Sequence, residues 1–127
     1  MRPLDDVRAV SLAVNVPGPT TAARLVALGA TVIKVEPPAG DPLAAAHPAW
    51  YDELRAGQQV VTLDLKQTES VDVLLRLADR SDVLIECFRP GVAERLGFGP
   101  DVCRRRNSRL VYGRMTGWGQ EGPLAQA

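Results

Sequence analysis

An α/β fold on a doubly wound parallel sheet is what this sequence predicts, on three observations. Five short runs rich in Val, Ile and Leu recur at Val7–Ala13, Thr31–Glu36, Val60–Leu65, Asp82–Glu86 and Arg109–Met115, each the length of a strand. Segments of helical period lie between them. Proline and glycine punctuate the junctions at which helices start or stop. Such alternation sets strands side by side in parallel, joined by right-handed crossovers. At 127 residues the chain has the size of one ordinary domain, so residues 1–127 are expected to form one unit, burying roughly two thirds of the unfolded surface.

Between the first two strands, Pro19–Leu28 reads as a helix. Gly18 can cap it, Pro19 suits its first position and Gly29 closes it. Pro37–Gln59 follows the second strand, carries Pro37, Pro38, Gly40, Pro42, Pro48 and Gly57, and reads as a long loop in which Leu43–Ala46 makes one helical turn. After the third strand, Thr68–Ala78 places Val71, Leu74, Leu75 and Ala78 on one stripe, with Thr68 as N-cap. That helix returns the chain to a parallel neighbour. Pro90–Leu96 and Pro100–Arg106 then read as two short helices around Gly97-Phe98-Gly99, and the tail Thr116–Ala127 holds three glycines and a proline, which argues against a regular element there.

Composition removes several classes of function. Fifteen basic residues balance fifteen acidic ones, so the net charge carries no nucleic-acid footprint. Acids at Asp5 and Asp6 interrupt the N-terminus where a signal peptide needs an apolar run, and no uninterrupted apolar stretch could span a bilayer, so a cytoplasmic location is expected. Cys87 and Cys103 stand sixteen positions apart without metal-like partners and read as reduced thiols, so no metal ligand is assigned.

Ligands of open parallel sheets sit beyond the carboxyl ends of the strands. After the first strand, Asn15-Val16-Pro17-Gly18-Pro19 makes a tight turn into a helix N-terminus, which suits an anion or polar ligand and equally suits a purely geometric role. The Gly-x-Gly-x-x-Gly spacing is absent, so Glu36 is not read as a ribose-binding acid. Leu63-Asp64-Leu65-Lys66 follows the third strand and Glu86-Cys87-Phe88-Arg89-Pro90-Gly91 the fourth. Their cations could hold phosphates and Phe88 could wall a ring or chain, although solvated cations and a core phenylalanine account for the same residues. Arg95 follows Glu94 as in a surface pair, and His47, the only histidine, has no cysteine or acid at catalytic spacing.

Order adds what the separate residues lack. Pro3-Leu4 with Val7-Arg8, Pro17-Gly18-Pro19, Leu28-Gly29-Ala30 through Glu36, Leu63-Asp64-Leu65-Lys66, Asp82–Glu86, Phe88-Arg89-Pro90-Gly91, Arg95-Leu96-Gly97 and Arg109–Tyr112 follow one another along nearly the whole chain. Together they resemble the N-terminal part of a family III CoA-transferase. Arg114-Met115-Thr116-Gly117-Trp118-Gly119-Gln120 with Gly122-Pro123 resembles its α-methylacyl-CoA racemase branch more than its formyl-CoA transferase branch. The resemblance implies a Rossmann-like, CoA-binding N-terminal domain over residues 1–127, belonging to an interlocked homodimer. It carries the family's CoA contacts to Leu63, Lys66, Phe88 and Arg95, and it sets Met115 near the acyl-chain or CoA site. Asn15 and Pro17 carry over only as backbone positions.

Departures from the family pattern bear on affinity and on chemistry. Pro37 stands where the family usually has an arginine that meets the adenosine phosphates, and Gln58 and Gln59 stand where it tends to be basic. Losing a charged phosphate partner costs about 1.5–3 kcal/mol each, so coenzyme A, as an acyl-CoA substrate, is expected to bind weakly or not at all. Racemisation beside a thioester needs a base on one face and an acid on the other. The resemblance puts the family's histidine and aspartate, and the transferases' nucleophilic aspartate, beyond the Gly117-Trp118-Gly119-Gln120 segment, and no pair in this sequence meets the requirement. No catalytic residue is therefore assigned, and activity is expected to need self-association or a complementary chain. A non-catalytic binding or regulatory module that keeps the family fold is the alternative, and the missing glycine fingerprint disfavours an unrelated nucleotide-binding domain.

Overall fold

A computed structural model describes residues 1–127. The elements run β1 (Arg8–Ser11), α1 (Pro17–Ala27), β2 (Thr31–Glu36), α2 (Pro42–Ala46), α3 (Pro48–Arg55), β3 (Gln59–Thr62), α4 (Thr68–Asp79), β4 (Val83–Glu86), α5 (Val92–Leu96), α6 (Pro100–Arg106) and β5 (Val111–Arg114). All four strand pairs are parallel, in the order β3-β2-β1-β4-β5. The sheet is the predicted doubly wound one. Connections from β1 lead to one side and the α4 crossover leads to the other, so the strand order reverses between β1 and β4.

Alternation along the strands separates two cores. On one face Val10, Leu12 and Val35 meet Val71, Leu74, Leu75 and Ala78 of α4, joined by Phe98 and Cys103. On the other, Ala9 and Val32 meet Ala22 of α1 and Ala30, a smaller cluster whose short side chains let the helix approach closely. Ser11 and Lys34 pair in register on that thinner side. A charged residue therefore occupies a place that the strand period reserves for an apolar one.

The α1 turn differs from expectation at its start. Pro17, not Pro19, is the first helical residue, and Gly18 lies inside the helix, buried rather than capping. A Cβ on Gly18 would collide with that of Ala13, so close approach to β1 is what requires the glycine. The expected stop is observed. Gly29 takes φ 110°, and the Gly29 and Ala30 amides donate to the Val26 and Leu25 carbonyls, closing a Schellman motif. At α4 the N-cap is Gln67, with Thr68 as the first helical residue.

The larger correction concerns the predicted loop Pro37–Gln59: its expected helical turn at Leu43–Ala46 is present as α2, and a second helix, α3, occupies Pro48–Arg55. Pro42 and Pro48 each stand in the first turn of a helix, where a missing N–H goes unmissed. Asp41 caps α2 through the Leu43 amide at 2.9 Å. β2 keeps its predicted bounds while the other four strands are shorter than predicted, and β3 ends at Thr62, so Leu63–Lys66 lies in the loop that leads to α4. No helix is long and apolar enough to cross a membrane.

Candidate functional site

A cleft of about 250 Å³ opens at the carboxyl ends of β1 to β4. Its apolar walls come from Leu12 and Val14 after β1, Val35 in β2, Leu63 and Leu65 after β3, Phe88 after β4, and Leu96 of α5. Glu36, Asp64 and Lys66 supply its charge. Sites that enclose a drug-sized ligand run to roughly 300–1,000 Å³, so this cleft suits one end of a longer molecule.

Leu63, Lys66 and Phe88 thus come together although far apart in sequence. Asp64 shapes the β3 side, accepting the Lys66 amide at 3.2 Å in an Asx turn that leaves the exposed lysine without an ion pair. Phe88 is held from two directions. Its amide donates to Glu86 at 2.9 Å, and its ring packs edge-on against Phe98 with centroids 5.7 Å apart. Arg95 and Met115 do not line the cleft. Arg95 is exposed on α5, and Met115 is half-buried past β5 with its amide on the Glu86 carbonyl.

Two charge networks flank the cleft, and sequence reading identified neither. On the β2 side, Lys34 Nζ donates to Asp41 and to the Ala13 carbonyl, both at 2.9 Å, and lies 3.8 Å from Glu36. Asp41 also accepts the Asn15 amide at 2.9 Å, which fixes Asn15 at φ 67°. Burial pushes the Asp41 carboxyl up, but the hydrogen bond from Lys34 and those from the Asn15 and Leu43 amides together hold it below the ordinary carboxylate value. The Tyr51 hydroxyl of α3 donates to Glu36 at 2.6 Å. Burial, then Glu36, pushes that phenol up to about 12. The signal available in sequence was Lys34 itself, a charge inside the buried run Thr31–Glu36.

On the β5 side, Arg114 bridges the wholly buried Glu86 and the exposed Glu94. Glu94 is held below its ordinary value by the Arg114 hydrogen bond, and Arg114 is pushed up first by Glu94. Cys87 lines the cleft, where burial raises its thiol and keeps it protonated at neutral pH. His47 lies at the exposed α2–α3 junction, edge-on to Trp50, and not in the cleft. The cleft thus sets apolar walls beside two carboxyl groups, one thiol and one cation.

Residues 4–127 match the family described as CoA-transferase family III. A probable fatty acyl-CoA transferase, Rv3272 of Mycobacterium tuberculosis, is 42% identical over 96% of this chain, which covers 33% of that protein. Human α-methylacyl-CoA racemase is 41% identical over 97% of the chain and is covered to 30% of its length. A crystal structure of the Mycobacterium tuberculosis protein superposes with a TM-score of 0.94 at 43% identity, over 100% of this chain and 37% of that one. The chain spans about a third of the length of the relatives it matches.

Proposed function

The chain belongs to CoA-transferase family III, and on that premise we propose that these residues bind the coenzyme A part of an acyl-CoA thioester in the strand-end cleft without themselves performing the transfer or proton exchange. One observation carries the reading, the meeting of Leu63, Lys66 and Phe88 beyond the ends of β3 and β4. Leu63 and Phe88 supply apolar contact and Lys66 supplies the charge for a phosphate. Arg95 and Met115 serve parts of the ligand that extend outside the cleft. That division agrees with a cleft sized for one end of a long molecule.

Binding is proposed to be weak. Pro37 lines the cleft without a charge, Gln59 begins β3, and Gln58 is turned inward with its amide on the Leu54 carbonyl at 3.0 Å. Lys66 is then the only cation among the residues lining the cleft. The reacting groups are proposed to come from other residues, through association with a second copy or a complementary chain. Exposed Val111, Trp118 and Leu124 near β5 and the tail offer apolar surface to such an association.

Calorimetric titration with a 2-methylacyl-CoA tests the reading. Lys66→Ala and Phe88→Ala are each expected to weaken binding about tenfold or more, as loss of a charged or well-packed contact implies. Absence of binding to the parent chain, or binding by both variants as tight as the parent's, overturns it. In deuterated water the chain alone is expected to leave the ligand's α-proton in place; incorporation of deuterium would show that these residues do carry proton transfer.

A further inference from the structure

Two side chains from alternate positions of β5 converge on Phe88 without lining the cleft. Arg114 ends β5 opposite Glu86, its register partner at the end of β4. Its Nε donates to one Glu86 carboxylate oxygen at 2.8 Å, and the other oxygen accepts the Phe88 amide at 2.9 Å. The rest of the guanidinium forks onto Glu94 of α5 at 2.6 and 3.1 Å. Two residues earlier, the Tyr112 hydroxyl donates to the Phe98 carbonyl at 2.8 Å, and Phe98 carries the ring that packs on Phe88. The backbone and the ring of Phe88 are thus braced separately from one strand.

Glu86 is 0% exposed, and a buried carboxylate demands full pairing. With Arg114 on one oxygen and the Phe88 amide on the other, the carboxylate has two stated partners and one geometry. The same guanidinium ties down α5, whose Leu96 also lines the cleft. We propose that Arg114 is a positioning residue for ligand binding, setting the Phe88 and Leu96 wall of the cleft through Glu86 and Glu94. This rests on the reading of the cleft as the ligand site. Lys66 is the internal control, because it follows β3 at the far edge of the sheet and has no bond to this cluster.

A double-mutant cycle and amide exchange test the proposal together. Arg114→Met is expected to weaken acyl-CoA binding about tenfold, within the range seen for coupled neighbours. Combined with Phe88→Ala it should add little, whereas combined with Lys66→Ala the two losses should multiply. Without ligand, Arg114→Met should raise hydrogen exchange at the Phe88 amide while core amides such as Leu74 stay protected. Glu94→Gln, an exposed change that leaves Glu86 paired, should give the same pattern at smaller size and covers the case in which Arg114→Met fails to fold. Losses that multiply equally with both partners, or unchanged exchange at Phe88, overturn the positioning role. Raised exchange at Phe88 in a chain that binds no acyl-CoA keeps the brace and overturns the reading of the site.

Discussion

The two charge networks beside the cleft use similar groups and differ in what surrounds them. Lys34 and Asp41 have side chains only 3% and 0% exposed, and their network, through Glu36, spans Ala13 to Tyr51. Arg114 is 17% exposed and reaches from a wholly buried Glu86 to a Glu94 that is 50% exposed. The first network closes on itself and assembles the backbone: it caps α2, fixes the Asn15 turn and anchors α3. The second is open to water at one end and braces side chains that face the cleft. Burial of both partners makes the first a requirement of the fold, whereas the second is adjustable only at its Glu94 end.

Stability measurements can break or sharpen this contrast. Lys34→Met should have the largest effect, about 3–5 kcal/mol in urea unfolding at neutral pH, because it strands Asp41 and Glu36 without their cation. Replacing both Lys34 and Asp41 by apolar residues of similar size should recover much of that loss. A single change costing under 1 kcal/mol would mean that the network does not organise the α2–α3 segment. Arg114→Met should cost less, about 1.5–3 kcal/mol, since it strands one buried carboxylate, Glu86, rather than two, and Glu86 keeps the Phe88 amide. If it costs as much as Lys34→Met, the difference in burial does not separate the two networks.

The smallest effect is expected from the Tyr51 hydroxyl, at about 1 kcal/mol on Tyr51→Phe. Its pH dependence has a defined sign. The folded phenol is raised from 10.0 to about 12, so its contribution is complete below pH 10 and is lost as pH rises toward 12. Asp41 runs the other way. Its folded value lies below 3.8, so its contribution is present above that pH and is lost as pH falls through the lower value. Absorbance titration of the phenolate and unfolding midpoints at acid pH check both directions.

Much of the fold was legible because its signals are local and periodic. Five apolar runs marked the strands, Gly29 marked the end of α1, and the stripe Val71-Leu74-Leu75-Ala78 marked α4 and became its buried face. Within Pro37–Gln59 the turn at Leu43–Ala46 was legible and α3 was not, because a proline such as Pro48 carries opposite meanings in the interior and in the first turn of a helix. Of the candidate site residues, Leu63, Lys66 and Phe88 meet in the cleft, while Arg95 and Met115 lie outside it. Neighbouring positions such as Glu94 and Arg95 can point to different tasks on a short helix, and order along the chain does not resolve that.

By itself the sequence determined the alternation of strands and helices, their parallel winding and the family, since each rests on spacing between near neighbours or on the order of short motifs. Only the tertiary structure decided that Lys34 would be sealed against Asp41, that Glu86 would be paired by Arg114, and that a wall of the cleft would be braced from β5. Those outcomes depend on which distant groups share one low-dielectric space, where an unpaired charge is too costly to keep. Periodicity reports which face a residue occupies. It does not report the partner that waits there.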